Sequence, residues 1–239
     1  MAYQAYFKRY EIKFLLDSGQ KQRLLQAMIP HMARDQYGRV TIRNLYYDTS
    51  HYQMIRRSLE KPVYKEKLRL RSYCRCEAGD TVFVEMKKKY KGIVYKRRLL
   101  LPREQAMAWL AGGAYPGPST QISREITQML AHYRSLEPRV FLSYEREAYY
   151  CLAGGDLRIT LDENVLCRRE ALCLGREPGG RALLPEGMTL LEIKTPGGLP
   201  LWLTSFLSRE KLYKTSFSKY GTAYQRMIMP NFKGECLHA

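Results

Sequence analysis

Short stretches in which charged and apolar residues alternate recur along this chain, and this feature constrains its fold most. A β-strand directs successive side chains to opposite faces of its sheet, so alternation collects charged residues on one face. In KEKLRLRSY, residues 65–73, one face carries four cations and a tyrosine. The other face carries Glu66, Leu68, Leu70 and Ser72. Like charges at neighbouring positions repel, so the cationic face is unfavourable unless water or an anion relieves it.

Further stretches of the same period predict about eight strands, most of them with a charged face. The stretches cover residues 10–15, 40–47, 65–73, 81–87, 93–101, 140–150, 157–162 and 190–194. The sequence YKG joins the fourth and fifth of them and predicts a hairpin. Three strands repeat a Glu-x-Lys pair on the charged face, namely Glu11 and Lys13, Glu85 and Lys87, and Glu192 and Lys194.

Helical stretches, with apolar residues at three- and four-residue spacing, separate the strands. They run from Asp17 or Ser18 to Met32, from Asp48 to Arg57, over residues 104–111 and 122–133, and from about Thr204 to Met229 with a break near Ser216. The glycine- and proline-rich loops between elements are turn-rich insertions and not domain linkers. We therefore expect one domain of residues 1–230 followed by a C-terminal tail of residues 231–239.

The repeated Glu-x-Lys pairs favour a lumen over a set of solvated outer faces. We expect an α+β fold in which an eight-stranded antiparallel β-barrel packs helices outside and directs its charged faces inward. A lumen of cations alone would be unstable, because buried unpaired charge is costly. Carboxylates among the cations relieve this cost and are hard ligands for Mn²⁺ or Mg²⁺. Residues 65–71 offer a cation about every 6.8 Å, which suits a linear chain of phosphates.

The overall charge also indicates an anionic partner. The chain has 40 Lys and Arg against 23 Asp and Glu, a net charge of +17. Such an excess is typical of proteins that bind nucleic acid, phosphate compounds or anionic membranes. The base-stacking aromatic motifs of common RNA modules are not recognisable in the sequence, so we do not expect nucleic acid.

The location of the protein is predicted from its apolar runs and its cysteines. The alternating N-terminus does not predict a signal peptide, and no apolar run approaches the roughly 20 residues of a membrane span. The six cysteines include no CxxC pair, so we expect reduced thiols without a structural zinc. We therefore expect a soluble, cytoplasmic protein.

Seven motifs resemble, in the same order, the catalytic domain of vacuolar transporter chaperone (VTC) proteins. They are YEIKF, RNLYYDTSHYQMIRRSLEKPVYKEKLRLRSY, VFVEMKKK, YEREAYY, LRITLDENV, LLEIKTPG and SFSKYGTAY, and the likeness extends from about Tyr6 to Met229. These polyphosphate polymerases belong to the triphosphate tunnel metalloenzyme superfamily, also called CYTH-like. The resemblance implies an eight-stranded tunnel that transfers the γ-phosphate of ATP to a growing inorganic polyphosphate chain with Mn²⁺ or Mg²⁺.

The resemblance also implies roles for particular residues. The implied catalytic residues are Arg69, Arg71, Arg146 and Glu192. The implied phosphate- or ATP-binding residues are Lys13, Lys87, Tyr144, Arg158, Lys194, Ser218 and Lys219. The implied metal ligand is Glu192, with Glu11 and Glu85 as further candidates. Structural roles remain open for Glu192, as a partner of Lys194, and for Tyr144, as a packing residue in the barrel wall.

Two departures from related sequences bear on the activity. The first strand has a single Glu-x-Lys, whereas the adenylate cyclase and thiamine triphosphatase branch has Glu-x-Glu-x-Lys, and this favours the polymerase. Ser216 stands where some relatives carry a further lysine. No Ser–His or Cys–His pair is recognisable, and none is needed, since an ionised phosphate acceptor requires no strong base.

Two alternatives remain open. The same tunnel with water as the acceptor would be an inorganic tripolyphosphatase. A non-catalytic domain that senses polyphosphate would share the cations, although a carboxylate such as Glu192 in the lumen favours an enzyme that uses a metal.

Overall fold

The structure is a computed structural model, which describes residues 10–91 and 93–230. Its nine strands are β1 (Tyr10–Leu16), β2 (Met32–Asp48), β3 (Tyr64–Ser72), β4 (Thr81–Tyr90), β5 (Ile93–Pro102), β6 (Glu137–Cys151), β7 (Arg158–Arg168), β8 (Arg181–Ala182) and β9 (Thr189–Thr195). Its six α-helices are α1 (Ser18–Met28), α2 (Gln53–Leu59), α3 (Arg103–Leu110), α4 (Gln121–Tyr133), α5 (Leu201–Arg209) and α6 (Lys219–Ala223), and a π-helix (Tyr224–Ile228) follows α6. Within these ranges no helix is long and apolar enough to cross a membrane.

The strands form one antiparallel sheet, which confirms the α+β class but corrects the expected barrel. Their order is β1-β9-β7-β6-β2-β3-β4-β5, with β8 paired to β7. Strands β1 and β5 stand at the two ends of this order, and no ladder within the described ranges joins them. The sheet is thus open and nine-stranded, and not a closed barrel of eight strands. Alternation predicts which residues share a face, but it does not specify which edges pair, and the two-residue β8 is too short to show a period.

Two compact units, interleaved along the chain, make up the molecule. The first comprises Met1–Thr41, Tyr144–Val165 and Leu184–Phe217, and the second comprises Ile42–Ser143, Leu166–Leu183 and Ser218–Ala239. The single domain of residues 1–230 stays a prediction, and the tail of residues 231–239 lies outside the described residues.

Each unit has its own apolar core, built from the apolar faces of its strands and from its helices. In the first unit Leu24 of α1 and Phe206 of α5 are buried together with Leu161 and Ile193 of the sheet. In the second unit the apolar face of β3 and β4 is buried with residues of α3 and α4, including Leu68, Val84, Trp109 and Ile126. The apolar residues that alternate with the charged ones thus form the cores, and the charged residues lie on the other face of each strand.

Local signals predicted several element boundaries and missed others. Asp17 caps α1 in a capping box with Gln20, and Tyr90 pairs with Ile93 in the predicted hairpin, of which Gly92 lies outside the described residues. β2 begins at Met32, well before the predicted residue 40. The prediction missed this part of the strand because its first half is polar and exposed and shows no clear period. The predicted last helix is interrupted over residues 210–218.

Candidate functional site

Glu85 lies at the centre of a group of predicted site residues in the second unit. Its side chain is 1% exposed, and the strand registers place Arg69 of β3 opposite it on one side and Arg98 of β5 on the other. Glu85 Oε2 accepts from Arg69 Nη2 at 2.7 Å and lies 3.8 Å from Arg71 Nε. Glu85 Oε1 lies 2.7 Å from Lys96 Nζ and accepts from Arg98. One buried carboxylate therefore meets four cations.

The titration of this group reflects the excess of positive charge. Burial alone would raise the pKa of Glu85, but the charges of Arg69, Arg71 and Lys96 hold that pKa far below its usual range. Loss of hydration lowers the pKa of Lys96 to about 7, and the charges of Arg98 and Arg69 add to this against the opposing effect of Glu85. Cations thus outnumber carboxylates in this group, a charge balance that a further anion would relieve.

The cationic row continues along β3 beyond Arg69. The register pairs Lys67 with Lys87 and Lys65 with Lys89, so like charges face each other on β3 and β4. Lys87 also stands opposite Lys96 on β5. Burial lowers the pKa of Lys65, as do the charges of Lys89, Lys61 and Lys87. Directly opposed like charges destabilise a sheet, so a bound anion would relieve the repulsion within these two opposed lysine pairs, which we call the lysine rungs.

Residues of the SFSKY motif, at positions 216–220, lie beside the same row of cations. Lys67 Nζ donates to Ser218 Oγ at 3.1 Å, and the neighbouring Lys219 is buried. The Tyr220 ring stacks on Tyr46 with their centroids 4.6 Å apart. The Tyr46 hydroxyl in turn accepts from Arg69 Nη1 at 2.9 Å. The predicted Ser218 and Lys219 therefore lie beside the β3 cations in the second unit.

Glu192 is the centre of a second group, which belongs to the first unit. Glu192 Oε1 lies 3.1 Å from Lys13 Nζ, and Glu192 Oε2 lies 3.2 Å from Arg146 Nη2. Lys13 Nζ also lies 3.1 Å from Glu11 Oε1. Arg146 donates from Nε and Nη2 to the two oxygens of Asp162, at 2.5 Å and 2.6 Å. Carboxylates and cations alternate in this group, so most of its charge is internally paired.

Burial and neighbouring carboxylates compete in this group, and the pKa is raised for two of its cations and lowered for a third. Burial opposes the charge on Lys13 and on Arg146, but neighbouring carboxylates more than offset it and raise the pKa of both. Burial lowers the pKa of Lys194 to about 8, because Glu192 offsets it only in part and Arg146 adds to it. Lys194 stands opposite both Glu11 and Arg158 in the strand registers.

The remaining predicted residues of the first unit lie near these charges. Tyr144 is buried, and the Arg146 guanidinium carbon lies 5.1 Å from the centre of its ring. Arg158 is exposed at the start of β7, and its guanidinium lies 5.8 Å from the Tyr150 ring. Their proposed contact with phosphate remains a prediction, as it does for every predicted site residue.

Sequence reasoning missed several members of both groups. They are Asn44, whose Oδ1 accepts from Arg71 Nε at 2.9 Å, together with Tyr46, Lys96, Arg98 and Asp162. Asp162 already stands on the charged face of a predicted strand, so alternation is a signal for it, and Lys67 belongs to the cation row predicted over residues 65–71. Asn44 and Arg98 are recognisable only once the strand register shows what lies opposite them.

The side chains of the first unit include candidate ligands for the expected metal. Among the described residues, no group of three or more His, Cys, Asp or Glu side chains has the geometry of a metal site. Mg²⁺, however, is commonly held by one or two carboxylates together with the phosphates of a substrate. Glu192 and Glu11 share Lys13 as a neighbour and are hard oxygen donors of the right kind. These residues therefore fit a divalent cation that is bound together with a phosphate ligand.

Comparison with known protein families gives one match. The family model of the VTC domain matches residues 8–228. No protein with a curated description matches the sequence.

The solved structures that match this chain are distant in sequence. A candidate adenylate cyclase from Bacillus halodurans has a TM-score of 0.53 at 15% identity, covering 92% of this chain and 99% of that one. A Pyrococcus horikoshii protein has a TM-score of 0.45 at 13% identity, with 94% and 98% covered. A candidate adenylate cyclase from Vibrio parahaemolyticus has a TM-score of 0.47 at 10% identity, with 92% and 98% covered. At such identities the first of these likenesses concerns the fold alone.

Proposed function

The chain belongs to the VTC domain family, and on that premise we propose that it is a cytoplasmic, ATP-dependent polyphosphate polymerase. The observation that carries the proposal is the cationic surface of β3, β4 and β5. There, four cations surround one carboxylate, and two further rungs pair lysine with lysine. A surface of this kind is matched by a ligand that carries a regular row of negative charges.

The arginines of the second unit would hold phosphate oxygens in this reaction. Arg69 and Arg71 are fixed by Glu85, Tyr46 and Asn44, so their guanidinium groups are ordered before a ligand arrives. Guanidinium groups bind phosphate through two parallel hydrogen bonds, and prior ordering reduces the entropy lost on binding. Lys87, Ser218 and Lys219 would bind further phosphates of the same chain.

The first unit would bind phosphate next to the metal. Arg146, Lys13 and Lys194 would bind phosphate oxygens, with Tyr144 and Arg158 beside them, and Glu192 with Glu11 would hold Mn²⁺ or Mg²⁺. The metal, when bound, would supply positive charge to bridging phosphate oxygens. Glu85 is engaged by four cations, so we assign it an anchoring role in preference to the metal ligation predicted from sequence.

The reaction needs positioning and charge more than covalent catalysis. A terminal oxygen of polyphosphate forms a bond to the γ-phosphorus of ATP, while the bond from that phosphorus to the β,γ-bridging oxygen breaks and ADP leaves. The acceptor oxygen is already ionised at neutral pH, so no proton has to be removed. The cations would stabilise the charge that shifts to the leaving oxygen.

Product analysis tests this proposal. The purified protein is incubated with ATP and MnCl₂, and polyphosphate on a gel is compared with the ADP that is formed. A ladder of lengthening chains with matching ADP is the expected result. Orthophosphate without a ladder would show a hydrolase, and tight polyphosphate binding without either product would show a sensor; each would overturn the polymerase.

A further inference from the structure

Arg43 of β2 is a buried cation whose donors are poorly satisfied. The residue is 6% exposed, and its Nε is buried and has no hydrogen-bond partner. Its nearest acid is Glu177, whose Oε2 lies 3.7 Å away, beyond hydrogen-bond length. A buried guanidinium in this condition is costly, so its retention calls for a ligand or another compensating interaction.

Arg43 lies outside the cluster around Glu85. Its neighbour Asn44 accepts from Arg71 of that cluster, and alternation directs Arg43 to the opposite face of the sheet. The opposite face carries Leu45 and Phe141, both part of the apolar core of the second unit. The proposed phosphate-binding residues of β3 therefore do not explain the burial of Arg43.

Arg168 of β7 and the loop that follows it bring more cations to this position. The Arg168 guanidinium lies 3.7 Å from the centre of the Phe141 ring and donates to the carbonyl oxygens of Glu177, at 2.9 Å, and Cys173, at 3.4 Å. Burial lowers the pKa of Arg168, and the charges of Arg176 and Arg43 add to this. The loop is thus held in place by Arg168.

Glu177 is one internal anion of this arginine group, and Glu77, whose Oε1 lies 2.8 Å from Arg75 Nε, is another. The Glu177 carboxylate also lies 3.2 Å from Arg75, yet its side chain is 70% exposed. An exposed carboxylate at these distances gains little from the pairing. A stronger oxyanion in its place would form bidentate hydrogen bonds with the guanidinium groups.

We propose that Arg43, Arg75 and Arg168 form a second oxyanion site, which binds one phosphate group and which Glu177 occupies in the absence of ligand. The phosphate is either free orthophosphate or the terminal group of a polyphosphate chain. Arg43 is its buried anchor, and the loop of residues 169–180, which carries Glu177, borders the ligand. The proposal stands on this geometry alone and does not depend on the polymerase activity.

Hydrogen–deuterium exchange of the whole chain tests the proposal and localises binding. Exchange is compared with and without orthophosphate, and then tripolyphosphate, with chloride added to keep the ionic strength constant. At a ligand concentration about ten times Kd, exchange that requires release of the ligand slows about tenfold in peptides of residues 169–180. Protection by orthophosphate would show that the site binds the free anion. Protection by tripolyphosphate alone would show that the site binds the terminal group of a chain. Unchanged exchange with both ligands overturns the proposal.

Three variants sharpen the test. Arg43→Met removes the buried charge and should abolish protection of this loop, while polyphosphate synthesis stays as in the wild type. Glu177→Gln removes one internal anion and should give the same protection at a lower phosphate concentration, which keeps the proposal testable if Arg43→Met does not fold. Arg209→Met, at an exposed arginine, is the matched control and should keep wild-type protection. Protection that persists in Arg43→Met, or an unchanged concentration dependence in Glu177→Gln, contradicts the proposal.

Discussion

At the scale of single residues, Glu85 contacts four cations of the second unit. Its carboxylate is buried between cations of β3 and β5, and these hold its pKa far below the usual value of 4.5. The unfolded chain therefore takes up a proton at this carboxyl at a higher pH than the folded protein does. The stabilisation is fully present above about pH 4.5 and is lost progressively as the pH falls below that value.

We predict that Glu85→Gln lowers the free energy of unfolding at neutral pH by about 3–5 kcal/mol, because it leaves buried cations uncompensated. The variant should also lose less stability than the wild type between about pH 5 and pH 3. Urea unfolding across this pH range measures both effects. Glu77→Gln, at a carboxylate that is 66% exposed, should match the wild type. A Glu85→Gln protein as stable as the wild type at neutral pH would show that Glu85 is not an anchor.

Glu192 carries the proposed metal-dependent chemistry. Glu192→Gln should fold, but its metal-dependent turnover should fall by about a hundredfold or more, because the amide oxygen is a much weaker ligand for a hard cation. The rate of ADP formation as a function of Mn²⁺ concentration is the measurement. The exposed Glu186→Gln serves as the control. Normal turnover in Glu192→Gln would remove Glu192 from the mechanism.

At the scale of elements, Asp48 connects two helices of the second unit. Asp48 is fully buried and accepts from the backbone N–H groups of Met54 and Ile55 in α2, at 2.9 Å and 3.0 Å. It also accepts from the Tyr220 hydroxyl of α6 at 2.9 Å. Asp48 thus accepts from two N–H groups of the first turn of α2, but the helix begins at Gln53, later than predicted, and Tyr52 stands at its N-cap. The same carboxylate fixes the segment that contains Ser218 and Lys219.

Tyr220→Phe should destabilise the protein by about 1.5–3 kcal/mol, the usual contribution of a hydrogen bond to a buried charged group. It should also raise KM more than it lowers kcat, because Ser218 and Lys219 are then held less firmly. Urea unfolding and steady-state kinetics give these values, and Tyr213→Phe, at a tyrosine that is 83% exposed, is the control. An unchanged KM together with a lower stability would restrict Tyr220 to a structural role.

The sequence predicts which residues share a face of a strand, but it does not predict which strands pair. Alternation in residues 65–73 correctly separates Arg69 and Arg71 from Leu68 and Leu70, because a strand has a fixed side-chain period of two. The position of Glu85 between Arg69 and Arg98 depends on the register of three strands, which the turn and the packing set together. Contacts such as Tyr220 with Asp48 join residues far apart in the chain and have no local signal.

At the scale of the whole molecule, the net charge of +17 predicts polyanion binding that weakens as salt is added. We expect part of this attraction to come from the net charge of the whole chain and part to come from the lysine rungs of β3 and β4. Residues on these rungs should matter more for a long polyphosphate than for tripolyphosphate, because only a long ligand extends along the whole row.

We predict that the double variant Lys65→Gln, Lys89→Gln weakens binding of long-chain polyphosphate severalfold, with a smaller effect on tripolyphosphate. Binding is measured while NaCl is raised from about 50 to about 200 mM, and the variant should show the weaker salt dependence. The double variant Lys211→Gln, Lys214→Gln removes the same net charge at exposed positions and is the matched control. Equal effects of the two double variants would assign the attraction to net charge alone.

The proposed reaction joins the γ-phosphate of ATP to polyphosphate. The most direct measurement supplies γ-labelled ATP, MnCl₂ and unlabelled tripolyphosphate as a primer and follows the label by separating the products by chain length. The label should enter tetraphosphate and longer chains, with one ADP for each phosphate that is added. Label that appears only in orthophosphate would contradict the claim.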